Sequence, residues 1–185
     1  MESESRSLES IFPVSEIAGS VDRYFECKVD PMGYFQRNQA SISEGLKRLR
    51  NLDSTKNDIS TSIMITAHSR INTLPWTLDQ LSRLNGSNSK VEIFLNGNPS
   101  KNDQLSLEDF NVICEELPVE LTTHEDALGV SGGRAYGIRN LNHNSDLLLT
   151  LDEDTGPMTS DWLEVIKQQF KKDERLGALY LPHFF

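Results

Sequence analysis

Cysteine is scarce: Cys27 and Cys114 are the whole complement in 185 residues. Two thiols cannot build the disulfide framework on which small secreted domains depend. Missing too are an apolar run long enough to cross a bilayer and an N-terminal stretch with the pattern of a signal peptide. The expected location is therefore the reducing cytoplasm. Positive charge is in deficit, with 18 Lys and Arg against 28 Asp and Glu and a formal net charge of −10. That balance argues against non-specific binding to nucleic acid or to anionic membrane, so an anionic ligand needs local help from a metal ion or a few arginines. No internal repeat is visible. What remains is an apolar content of 37%, enough for a sizeable core in one domain with an appended segment.

Composition changes near residue 57. The polar "MESESRSLES" opens the chain and reads as mobile. A mixed segment leads to "SISEGLKRLRNLD", where Ile42, Leu46, Leu49 and Leu52 have helical spacing. Residues 1–57 are expected to form an N-terminal extension with one helix, joined by the polar "DSTKNDIS" to a main domain over 58–185. In that domain short β-rich runs alternate with amphipathic segments, the pattern of parallel βαβ units. "SIMITA", "VEIFL", "VELTT", "DLLLTL" and "ALYL" read as strands, the fourth apolar on both faces and so expected to be central. Helices are expected between them. Leu74, Leu78 and Leu81 form the inner face of the first; Ser106 caps the second, with Leu107, Phe110 and Leu117 inward. Ala135, Ile138 and Leu141 face the sheet from the third. The last is capped by Thr159 or Ser160 and turns Trp162, Val165, Ile166 and Phe170 inward. The fold class expected is α/β, a mostly parallel twisted sheet with helices on both faces, Rossmann-like, behind a partly helical extension.

Directly after the fourth strand comes an acidic triplet, "LLLTLDEDTGPMTSDW", with Asp152, Glu153 and Asp154 adjacent. Three neighbouring carboxylates repel one another and are costly to desolvate unless a cation or donor compensates them. In open α/β sheets ligands bind beyond the carboxyl ends of the strands. Two carboxylates one residue apart at such an end, Asp152 and Asp154, suit a hard cation such as Mg²⁺ or Mn²⁺. A solvated turn before a helix is the bland alternative. A haloacid-dehalogenase-type phosphatase site fails on spacing, since Gly156 stands where that chemistry wants Thr. An EF-hand loop fails because Pro157 and Met158 do not continue its pattern.

The segments "SIMITAHSR", "VEIFLNGNPS", "LGVSGGRAYGI" and "LDEDTGPMTSDWL" fall at successive strand ends. Their order, over roughly residues 61–181, resembles the nucleotide-sugar-binding half of the family 2 glycosyltransferases, which have the GT-A fold. The resemblance implies transfer of a sugar from a nucleoside diphosphate sugar to an acceptor with inversion, assisted by Mn²⁺ or Mg²⁺ through a DxD motif. It places Ala67, His68 and Arg70 against the base and ribose of the donor. Asn96 stands where the family usually has an Asp for the base, which puts base preference in doubt. Thr66 stands where the family usually has Pro. Gly132, Gly133 and Arg134 match the stretch near the diphosphate and sugar. Asp152 would approach the ribose or metal, Glu153 would lie beside the nucleotide sugar, and Asp154 would bind the metal. Arg134 has an alternative role as the partner of a nearby carboxylate. His124, His143 and His183 lack metal-ligand spacing and read as structural.

The family's general base lies well after its DxD segment, and here only 31 residues follow Asp154. The chain is expected to be truncated at its C-terminal end, holding the donor site but no catalytic base and no acceptor site. Two other functions stay open: a nucleotide-sugar-binding module without catalysis, and a nucleotidyltransferase on a related fold. The acceptor and the donor sugar are not legible.

Overall fold

The computed structural model describes residues 14–51, 58–68, 71–98, 103–140, 144–157 and 159–179. Among the described residues two helices come first, α1 (Val14–Val29) and α2 (Pro31–Arg50), where the sequence led us to expect one. The break between them is local chemistry: Asp30 is the N-cap of α2, its side chain accepting from the Gly33 N–H at 3.0 Å, and Pro31 opens the first turn. An alternating series follows: β1 (Thr61–Ala67), α3 (Leu74–Ser82), β2 (Ser89–Asn96), α4 (Leu107–Glu115), β3 (Val119–His124), α5 (Gly129–Asn140), β4 (Leu147–Asp152) and α6 (Trp162–Lys172). Ser106 caps α4 as expected, in a capping box with Asp109.

All pairings are parallel, in the order β3-β2-β1-β4. The α/β class with a parallel, Rossmann-like sheet is therefore what the chain forms. One face of the sheet carries Ile63, Ile65, Val91, Ile93, Leu95 and Leu151. These pack with Phe35, Ile42, Leu46 and Leu49 of α2, Leu74, Leu78 and Leu81 of α3, Phe110 and Ile113 of α4, and Leu163 of α6 in one core. Strand alternation sends Met64, Thr66, Phe94, Asn96 and Asp152 to the opposite face. There α5 lies close. A Cβ on Gly137 would come within 2.8 Å of the Met64 sulfur and 3.3 Å of the Phe94 ring.

Several expectations are corrected. Among the described strands β4 stands at an edge and β1 is interior, buried along its whole length. The apolar run of β4 misled because Thr150 on it is exposed and Leu148 only half-buried. No strand forms at Ala178 and Leu179, and the rest of "ALYL" lies outside the described residues. Asp161, not Thr159 or Ser160, is the N-cap of α6, without a side-chain cap bond. Val165 and Leu107 are exposed and Phe170 half-buried, so the buried stripe of α6 is Leu163, Ile166 and Lys167. Ala135 is exposed and Ile138 half-buried, because glycines rather than large side chains let α5 approach the sheet. Leu52, Leu141, His143, His183 and the opening ten residues lie outside the described residues.

Two buried charged groups tie the layers together. Asp79 on α3 accepts from the Tyr34 hydroxyl of α2 at 2.8 Å and from the Arg83 guanidinium at 3.0 and 3.1 Å, with Arg23 of α1 at 3.3 Å. Lys167, 1% exposed, donates to Asp58 Oδ2 and to the Ser87 carbonyl, both at 2.8 Å. Burial by itself would push the Asp58 carboxyl up, but hydrogen bonds and charge from Lys167 and Lys171 outweigh it and hold the group below its ordinary range.

Candidate functional site at the carboxyl edge of the sheet

Parallel strands aim their carboxyl ends at one edge, and β1, β2 and β4 deliver Thr66, Asn96 and Asp152 there on the face that α5 covers. Directly after β1, the half-buried His68 has Nδ1 2.6 Å from the Asn96 carbonyl oxygen. That carbonyl only accepts, so Nδ1 carries the proton. Ala67 points the other way, into the apolar core. Arg70 lies outside the described residues.

Asn96 is 1% exposed and engaged at both ends of its amide. Oδ1 accepts from the Leu128 N–H at 2.9 Å, and Nδ2 donates to the Gly129 carbonyl at 3.1 Å. The side chain thus clamps the backbone that begins α5. Gly129 has φ +70°, a left-handed conformation that glycine adopts without strain. One turn later Gly133 presses on the Asn96 side chain, which leaves no room for a Cβ. Gly132 is half-buried beside it. Gly133 here and Gly137 one turn further on accordingly set how closely the helix approaches β1 and β2.

This approach brings Arg134 to Asp152. Nη2 donates to Oδ1 at 2.6 Å, and both side chains are about two-fifths exposed, at 40% and 39%. The sequence left Arg134 open as a ligand group or as a carboxylate's partner; in this structure it pairs with Asp152. Among the described residues its buried Nε finds no acceptor, and the hydroxyl of Thr66, the residue that pairs in register with Asp152, has no hydrogen-bond partner.

Beyond Asp152 the chain turns, with Thr155 N–H donating to the Asp152 carbonyl at 3.1 Å. Glu153 is buried, and its carbonyl accepts from Thr73 Oγ1 at 3.2 Å and Thr77 Oγ1 at 2.7 Å, which pins the triplet to α3. Gly156 then packs on Gln80 and Trp76 of the same helix. Asp154 is half-buried in the turn. Among the described residues no three His, Cys, Asp or Glu side chains converge to hold a metal ion on their own. A divalent ion at Asp152 and Asp154 would take its remaining oxygens from a ligand, as Mg²⁺ commonly does with phosphates.

Sequence reasoning singled out most of this edge but missed three features. Tyr136 stacks on Phe94 at 5.4 Å and meets the His124 ring edge-on at 4.7 Å, closing the β3 side. Thr73 and Thr77 hold the triplet, and Thr66 sits beside Asp152. For Thr66 strand alternation supplied half the signal; the β1–β4 register supplied the rest. Among the described residues no helix is long and apolar enough to cross a membrane.

No protein-family model matches the sequence, and no curated protein does either. Solved structures do. The fold resembles S. aureus TarS with a TM-score of 0.50 and 14% identity, covering 62% of this chain and 20% of that one. It resembles S. aureus TarS 1-349 with a TM-score of 0.51 and 12% identity, covering 68% of this chain and 39% of that one. A looser likeness, TM-score 0.47 and 11% identity over 80% of this chain and 43% of that one, is to the mannosyltransferase PcManGT from Pyrobaculum calidifontis in complex with GDP-Man and Mn²⁺. The identities make this a likeness of fold, and the chain spans less than half the length of each of these structures.

Proposed function

We propose that residues 58–185 are the nucleotide-sugar-binding part of a metal-assisted glycosyltransferase of family 2 type, with the GT-A fold, and that residues 1–57 are an N-terminal extension whose helices α1 and α2 pack on it. The observation that carries this reading is Arg134 on Asp152 at the carboxyl edge of a parallel sheet, with a buried Nε still lacking an acceptor. Support comes also from the order of "SIMITAHSR", "GVSGGRAYGI" and "LDEDTGPMTSDWL" along the chain and from the fold it shares with TarS.

In this reading the donor's diphosphate lies over the start of α5, where free backbone N–H groups and the helix dipole favour an anion. Arg134 leaves Asp152 and donates to the diphosphate, a charge-assisted bond stronger than the half-exposed ion pair it gives up. Asp152 is then free for the ribose or, with Asp154, for Mn²⁺ or Mg²⁺. When bound, the ion supplies Lewis-acid stabilisation of the charge that grows on a leaving diphosphate. His68 borders the nucleoside, with only the backbone of Ala67 beside it because that side chain faces the core; Asn96 fixes the start of α5, which carries Gly132 and Gly133, and the Glu153 carbonyl anchors the turn. The acceptor and its activating base belong to residues other than those named here.

Calorimetric titration with UDP, GDP and their sugar conjugates, with and without Mn²⁺, tests the reading. Binding of one of them that tightens with Mn²⁺ is expected. Equal affinity with and without the ion would remove the metal from the site. Turnover of a nucleoside triphosphate with release of pyrophosphate would instead establish a nucleotidyltransferase.

A further inference from the structure

Thr66 is 6% exposed, and among the described residues its hydroxyl has no hydrogen-bond partner. A buried polar group without a partner bears the full cost of its desolvation, so such groups are rare and call for an explanation. The position supplies one. Thr66 is the register partner of Asp152 on β4 and of Phe94 on β2, so its side chain shares the α5 face with Asp152. Arg134, on that carboxylate, carries a second buried atom without an acceptor, Nε. Thr66 on β1 and Arg134 on α5 therefore flank the same half-exposed carboxylate, one by strand register and the other by its hydrogen bond, whereas Ala67, next along β1, is turned into the apolar core.

The chemistry of the three groups selects what fits between them. An ionised carboxylate only accepts, Nε–H only donates, and a threonine hydroxyl does either. A phosphate beside Asp152 would meet a like charge. With Arg134 turned to the diphosphate, a hydroxyl on a sugar ring donates to Asp152 while accepting from Thr66. Resting on the donor-site reading above, we infer that Thr66 is a ligand-binding residue whose hydroxyl contacts a ring hydroxyl of the nucleotide sugar, either on the ribose or on the sugar carried. The unmade hydrogen bond of the free protein is completed only by ligand.

This assigns Thr66→Val an unusual pair of effects. Valine keeps the shape and removes an unsatisfied group, so the melting temperature of the free protein should stay the same or rise. Affinity should fall by about threefold to tenfold, the loss of one ordinary hydrogen bond, and Thr66→Ser should bind like the parent. The titrations use UDP, GDP, UDP-glucose and GDP-mannose with Mn²⁺. A loss seen with the diphosphates themselves places the contact on the ribose, and a loss confined to the sugar conjugates places it on the sugar; either supports the inference. Unchanged affinity of Thr66→Val for every ligand that the parent binds would overturn the inference alone and leave the donor site standing. A lower melting temperature in Thr66→Val, restored in Thr66→Ser, would overturn it as well, by giving the hydroxyl a partner within the fold. If the parent bound none of the four, the inference and the donor site would fall together.

Discussion

The two faces of the sheet are built on opposite principles. Toward α2, α3, α4 and α6 the strands present Ile63, Ile65, Val91, Ile93 and Leu95, met by leucines and a phenylalanine in a continuous apolar core. Toward α5 they present Thr66, Asn96, Asp152 and the ring of Phe94, met by a helix that brings glycines, Tyr136 and Arg134. Burial of apolar area is non-directional and adds up wherever side chains are large. A polar face offers less of that, and each of its groups needs a partner of its own. The first face stabilises the molecule, and the second leaves the carboxyl edge populated by groups that a ligand can engage. Stability and binding should therefore be separable by mutation, face by face.

The largest effect is expected on the apolar face. Leu78→Ala removes a fully buried side chain from α3 and should lower stability in urea by about 2–5 kcal/mol. Nucleoside diphosphate affinity of the folded fraction should not change. A parallel loss of affinity would show that the faces are coupled.

On the other face Arg134→Ala should do the reverse. Its pair with Asp152 is two-fifths exposed, worth only about 0–1 kcal/mol to the fold. Loss of a charge-assisted bond to the diphosphate should weaken binding by about 1.5–3 kcal/mol. Titration calorimetry beside thermal melting separates the two numbers, and unchanged affinity would leave Arg134 with its structural pairing alone.

Gly133→Ala sharpens the contrast, because it touches both properties. The added methyl meets the buried Asn96 amide, and overpacking of this kind costs about 1–3 kcal/mol. Displacing α5 also moves Arg134 from Asp152, so affinity should fall with stability. A variant that lost stability and kept full affinity would place the binding groups elsewhere.

The smallest effect is a pH dependence that belongs to the apolar face. The Asp58 carboxyl is held below its ordinary value of 3.8 in the folded protein. Its contribution is thus fully present above that value and is lost as pH falls through the folded-state pKa. Melting temperature against pH should fall less steeply in the acid range for Asp58→Asn than for the parent. Identical slopes would remove Asp58 from the account.

Much of this was legible before any coordinates. The alternation of β-rich and amphipathic runs specified the parallel α/β arrangement, and the buried leucines of α3 and the cap at Ser106 stand where their spacing put them. Periodicity fails where packing is decided by the partner. Ala135 looked inward on helical spacing, yet Gly133 and Gly137 face the sheet, because close approach there favours the absence of a side chain. The apolar run of β4 implied burial on both sides, and its place at an edge of the described sheet is a property of strand order.

The sequence by itself determined local matters: the cap that begins α4, which residues alternate across a strand, and that carboxylates follow β4 without a break. These depend on residues a few positions apart, within reach of a single turn or pleat. Tertiary structure alone decided which distant groups meet. It set Arg134 on Asp152, closed both ends of the Asn96 amide on the start of α5, buried Lys167 against Asp58, and left Thr66 beside Asp152 with its hydroxyl unmade. The physical reason is that such contacts are fixed by strand register and by the distance at which a helix crosses a sheet, and no local pattern in the chain encodes either.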